Sequence, residues 1–271
     1  MEILSNFLIQ MLFTFGIVMI FGLIIAFARR IFCAILGYSG PKILLATGII
    51  GTPIHELGHA LMCIIFGHRI VEIKLFDPKS EGGALGYVRH SYNPRNIYHQ
   101  IGNYFIGVAP IICGSGVLLL LLRFVTPDVF SAVSTDFDKI FSLKPALNSE
   151  TFVLIGELLF GMLGKIFAIS NLSSVLWWVF IILALMIASH MEVSGADIKG
   201  GIGGFLILSV LLLVVDIILY FVSPSALASV TGVMTGASVF IIGFLFISAV
   251  FSLIMVLLAV LIKIITSVFS R

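Results

Sequence analysis

Long apolar runs, broken by short polar islands, set the pattern of this chain. The runs occupy 4–28, 43–67, 97–123, 172–189, 201–223 and 237–266. Each approaches or exceeds the ~20 residues a helix needs to cross a hydrocarbon core. They predict six membrane-spanning helices. A seventh candidate, 151–170, carries Glu157, Lys165 and three glycines. Its pattern fits a packed span, a re-entrant segment or an interfacial helix.

The period changes in the polar segment 68–96. In "VEIKLF", Val71, Ile73 and Leu75 alternate with Glu72 and Lys74, which is the period of a strand. "DPKSEGG" supplies turn residues, and "ALGYVRHSY" (84–92) resumes an extended pattern. The expectation is a short β-hairpin. A second polar segment, about 124–150, holds Pro127, Asp128, Asp136, Asp138, Lys139 and Lys144. It reads as a surface loop or an amphipathic segment without chemistry.

Composition agrees with the runs. Of 271 residues 60% are hydrophobic and 10% charged, against about a quarter charged in soluble proteins. Mean hydropathy is +1.23. The predicted class is therefore an all-α polytopic membrane protein, with about six or seven transmembrane helices and the hairpin, forming one domain over 1–271. Met1–Asn6 has no Lys or Arg and the first apolar run reaches Ala28, so that run reads as a retained helix and not a cleaved signal. The net charge of +2 is small and dispersed, which gives no footprint for nucleic acid. Cys33, Cys63 and Cys113 lie in apolar segments without zinc-ribbon or disulfide spacing and read as small buried hydrophobes. Arg69, Lys74, Lys79, Arg89 and Arg95 favour a cytoplasmic 68–96 segment. Arg29, Arg30 and Lys42 then fall on the other side, so orientation stays open. The expected location is integral and multi-pass, in the cell membrane.

Within the second run, "GTPIHELGHALMC" (51–63) places His55, Glu56 and His59 at membrane depth. A charged group there costs at least ~2.5–3.5 kcal/mol on insertion scales, which marks functional residues. His55 and His59, four apart, share a helix face and can reach one metal at about 2.0–2.1 Å per Zn–N bond. Glu56 lies just off that face, placed to take a proton from water activated at Zn2+. Pro53 favours a local kink.

Such a hydrolytic site needs a third protein ligand. The polar island "SHMEVSGADIKGG" (189–201) offers His190, Glu192 and Asp197. Asp197 and His190 both remain candidates for the metal, with the other close by, and Glu192 ranks below them. An ordinary interhelix loop is the plainer reading of the island. His68, His90 and His99 border the hairpin and are assigned to the interface. Asn103 is a candidate for substrate binding or for an interhelical hydrogen bond. Trp177 and Trp178 suit an interfacial belt.

HELGH in a membrane span followed by a basic hairpin resembles the site-2 protease class of intramembrane zinc metalloproteases. That resemblance implies His55 and His59 as zinc ligands, Glu56 as general base, and a late aspartate, here Asp197, completing the site. "GVAPIICGSG" (107–116) loosely resembles the class's Gly/Pro segment. The class's Leu-Asp-Gly stretch has no clean counterpart. "ADIKGG" is similar to a stretch of the Ste24-type membrane zinc proteases, but Val193 stands where that pattern has its ligand glutamate. The expected function is hydrolysis of a peptide bond in a membrane protein or peptide, in or near the bilayer. The alternatives are a membrane zinc hydrolase of a lipid amide or ester, and a non-catalytic metal-binding protein or transporter. A transporter predicts repeats or paired broken helices, and the sequence has neither.

Overall fold

The computed structural model describes residues 2–79, 84–142 and 149–269. It is predominantly helical. Helices α1 (Glu2–Met11) and α2 (Ile17–Leu36) join through a π-helical turn at Leu12–Gly16. Gly37, with φ +54°, breaks the chain before α3 (Ser39–Ile65). Strands β1 (Arg69–Lys74) and β2 (Tyr87–Ser91) follow, then α4 (Ile97–Val125), α5 (Pro127–Ser142) and α6 (Ser149–Ile166). The chain ends in α7 (Val175–Ala188), α8 (Gly195–Val222) and α9 (Pro224–Phe269).

Among the described residues, six helical segments are long and apolar enough to cross a membrane: Ile3–Leu36, Ser39–Ile65, Ile97–Val125, Glu150–Ser173, Gly195–Val222 and Pro224–Val268. This set differs from the sequence expectation at two places. The 172–189 run yields only the 14-residue α7, because Ser174 caps its start, accepting from the Trp177 amide, and the polar island ends it. The 151–170 segment does form a long apolar helix. Lys165 turns onto Asp136 of α5 at 2.5 Å, so one of the charges in this segment is paired. The polar segment 124–150 likewise holds the helix α5, while Lys144 falls outside the described residues.

The hairpin is present and antiparallel, pairing Arg69 with Ser91 and Lys74 with Tyr87. A register shift between Ile70 and Glu72 leaves Val71 as the extra residue of a bulge. Part of the expected turn, 80–83, lies outside the described residues.

Helix α4 is the hub, packed against α3, α7, α8 and α9. Its inner face buries Ile106, Val108, Ile111, Leu118 and Leu122. Aromatic rings seal it to α8 and the π turn, with Phe15 edge-on to Tyr104 at 5.3 Å and to Phe205 at 5.7 Å. Glycines bring backbones together where the site forms. A Cβ at Gly107 would lie 2.8 Å from the Asp197 carbonyl oxygen, so any other residue there would push α4 away from α8. The outer face of α8 is apolar and exposed through Leu206, Val210, Phe221 and Val222.

Candidate metal centre

The HELGH turn sits in the middle of α3, facing α4 and the α7–α8 break. His55 donates Nδ1–H to the His190 carbonyl at 2.6 Å. His59 donates Nδ1–H to the Ile106 carbonyl at 2.8 Å. Since a carbonyl only accepts, both rings carry their proton on Nδ1 and both Nε2 atoms are lone pairs. Those two Nε2 atoms face each other at 3.1 Å, and in the neutral rings neither donates, so the contact calls for a positive charge between them, a shared proton or a metal ion.

Both accepting carbonyls are available for a local reason. Pro110 lies inside α4 and has no N–H to give the residue four back, which is Ile106. The His190 carbonyl lies in the break after α7, outside either helix ladder. Histidines that ligate metals characteristically donate their other nitrogen to such a carbonyl, which fixes tautomer and orientation.

Asp197 arrives from α8. Ser194 caps that helix, its hydroxyl accepting from the Asp197 amide at 3.1 Å, while Asp197 Oδ2 accepts from the Ser194 amide at 2.9 Å. This capping box fixes one carboxylate oxygen and leaves Oδ1 3.7 Å from His59 Nε2. One ligand atom each from His55, His59 and Asp197 lies within 4.8 Å of the others. Two imidazole nitrogens on a tetrahedral zinc stand about 3.3 Å apart, so the donor set and its spacing fit that ion.

The imidazole of His190 falls outside this triplet. Thr47 Oγ1 lies 3.0 Å from its Nε2 and Thr52 Oγ1 3.4 Å from its Nδ1. Gly51 lets the ring approach, since a Cβ there would be 2.6 Å from His190 Cδ2. The side chain thus anchors a loop whose carbonyl holds His55. Asn103, a candidate for substrate binding, lies away from the cavity lining. Its backbone oxygen faces Gly201, on the side of α4 that packs against α8.

Glu56 is 5% exposed and lines a cavity of about 520 Å³ with His55, His59 and Asp197. Opposite it lie Ala84, Leu85, Gly86, Tyr87 and Val88. Ala84–Gly86 lead into β2, and of β2 itself Tyr87, Val88 and His90 line the cavity, so this arm of the hairpin runs along it. Gly86 permits this approach, because a Cβ there would lie 2.8 Å from Glu56 Cγ.

Two residues at this cavity went unassigned from sequence. Arg29 of α2 forms an ion pair with Glu192 of the polar island, and both line the cavity. A helix-end arginine reads as a flanking charge, and no spacing rule ties it to a residue 163 positions later. The Ile106 carbonyl had a readable signal, the proline four residues on.

Outside the transmembrane-length segments, charge pairs organise the hairpin. Glu72 accepts from the Tyr87 hydroxyl at 2.5 Å and from Arg89 at 3.2 Å. These contacts, the tyrosine bond first, hold its carboxyl below the usual range.

The chain matches no family model, no curated protein and no solved structure.

Proposed function

We propose that this chain is a multi-span membrane zinc metallopeptidase similar to the site-2 protease class. The observation that carries the reading is the pair of inward Nε2 lone pairs on His55 and His59, each ring fixed by a backbone carbonyl, with Asp197 Oδ1 beside them. Zinc held there would lower the pKa of water towards about 7 and polarise a carbonyl.

The chain's own groups supply the remainder. Glu56 takes one proton from the attacking water as its oxygen adds to the scissile carbonyl carbon. It then delivers that proton to the amide nitrogen as the C–N bond breaks. Asp197 keeps its position because its second oxygen is tied into the helix cap. Arg29 and Glu192 border the cavity and offer charges to substrate or water.

Strand β2 argues for a peptide over a lipid amide. The arm 84–88 with His90 runs along the cavity, and the edge of β2 not paired with β1 would add an extended substrate segment as a further strand, whereas main-chain pairing is of no use to an acyl chain. A transmembrane substrate must unwind to be cut, and the strand edge takes up hydrogen bonds that unwinding releases. The six long apolar segments and the exposed apolar face of α8 support placing this chemistry in a bilayer.

The test is Glu56→Gln. It should keep zinc at the site while hydrolysis drops by at least ~10²-fold, the scale of general acid–base catalysis. Near-normal turnover with zinc bound would exclude the mechanism.

A further inference from the structure

A second cluster of metal-ligand side chains lies one helical turn beyond His59. Cys63 is fully buried in α3, and His68 is 5% exposed just after it. The helix end brings them together. Gly67, at φ +68°, reverses the chain so that the His68 amide donates to the Cys63 carbonyl at 2.8 Å and the Gly67 amide to the Ile64 carbonyl at 3.2 Å. This is the paired bonding of a Schellman turn, in which glycine takes the left-handed position. The third member, His90, comes from β2, whose pairing with Ile70 sets it beside the start of β1.

The hydrogen bonds prepare the ligands. His68 donates Nε2–H to the His99 carbonyl at 2.8 Å, so its Nδ1 is a lone pair. His90 Nδ1 lies 3.0 Å from that nitrogen. Tyr92 stacks on the His68 ring at 5.0 Å and 14°, fixing its plane. One ligand atom from each of Cys63, His68 and His90 lies within 4.8 Å of the others.

We propose that Cys63, His68 and His90 form a second metal site, for a thiophilic divalent ion of the zinc class, which pins the hairpin to the end of the HELGH helix. One sulfur and two imidazole donors match zinc and disfavour magnesium or calcium. Metal binding releases the Cys63 thiol proton, and the His90 proton moves from Nδ1 to Nε2. His59 and Cys63 are separated by about 6 Å of helix rise, so the two sites are neighbours with different donors. His90 also lines the cavity opposite Glu56, which puts the second ion at the root of the strand edge. The site stands independently of the peptidase reading; only its consequence for holding substrate rests on that reading.

Cobalt(II) substitution of the full-length protein in detergent separates the two sites, since only this one contains a thiolate. The expected result is two cobalt ions per chain and a near-ultraviolet thiolate-to-cobalt charge-transfer band. Cys63→Ser should abolish the band and leave one ion. His68→Ala and His90→Ala should also reduce the metal to one ion, and His55→Ala with His59→Ala should keep the band. A wild-type protein without the band overturns the proposal with no variant required. A band that persists in Cys63→Ser overturns it too. Failure of the HELGH site alone gives a different pattern: one ion in the wild type, the band intact, and no response to the His55 and His59 changes.

Discussion

Pro110 does not line the cavity, yet the carbonyl it leaves free holds His59 in place. Pro110→Ala restores an amide N–H that can close the helical bond to Ile106 and compete with the His59 ring. Loss of such an outer partner costs about 10–100-fold in metal affinity, and chelator competition should show a decline of that size. An unchanged affinity would mean that the Ile106 bond does not orient the ligand. The third ligand is decided the same way, in a Cys63→Ser background that leaves one site. Asp197→Ala should lose most zinc at limiting metal. His190→Ala keeps the carbonyl that holds His55 but loses the ring anchored by Thr47 and Thr52, so zinc should bind about 10–100-fold more weakly. Full zinc in Asp197→Ala with none in His190→Ala would reverse the assignment. His55, Glu56 and His59 were legible because their roles fit within about one turn of a single helix. Asp197 was legible only as one of two candidates, since it depends on how α8 starts. The Ile106 carbonyl was hidden because a backbone group has no residue signature, and Arg29 because its partner is remote in sequence.

Among the elements, the hairpin was readable from the alternation of Val71, Ile73 and Leu75 against charged neighbours, although its observed register begins two residues earlier, at Arg69, and leaves Val71 in the bulge. Which edge faces the site was not readable, because alternation gives faces and not edges. Residues 84–88 and His90 line the cavity and none of Arg69–Lys74 does, so the proposed reading has substrate meet the β2 side of the hairpin. Prolines scanned through 84–91 remove ladder donors and should impair cleavage while zinc stays bound. Prolines in Arg69–Lys74 should do so less. If both scans leave cleavage unaffected, the hairpin serves only as a connector. The brevity of α7 was hidden for a different reason. Hydropathy sees an unbroken apolar run at 172–189, whereas Ser174 and the polar island set where the helix stops and starts. The reading of 151–170 stayed open between three arrangements because Glu157, Lys165 and three glycines interrupt it, and the partner of Lys165, Asp136, lies on another helix and so does not show in a local window.

Across the whole molecule, six segments among the described residues are of spanning length, and α2, α3, α4 and α8 contribute residues to the polar cavity that holds the HELGH turn. A chain built this way should stay with the bilayer through an alkaline carbonate wash and leave it only in detergent. Release into the carbonate supernatant would contradict a multi-span arrangement. Inside that frame the account makes Glu56 the proton carrier for peptide hydrolysis beside bound zinc. The most direct test compares newly formed protein termini in membranes of cells making the wild-type chain or Glu56→Gln, matched in abundance and zinc content. The account predicts a set of cut membrane proteins or peptides in the wild type that remain intact with Glu56→Gln. Identical termini in the two would contradict it.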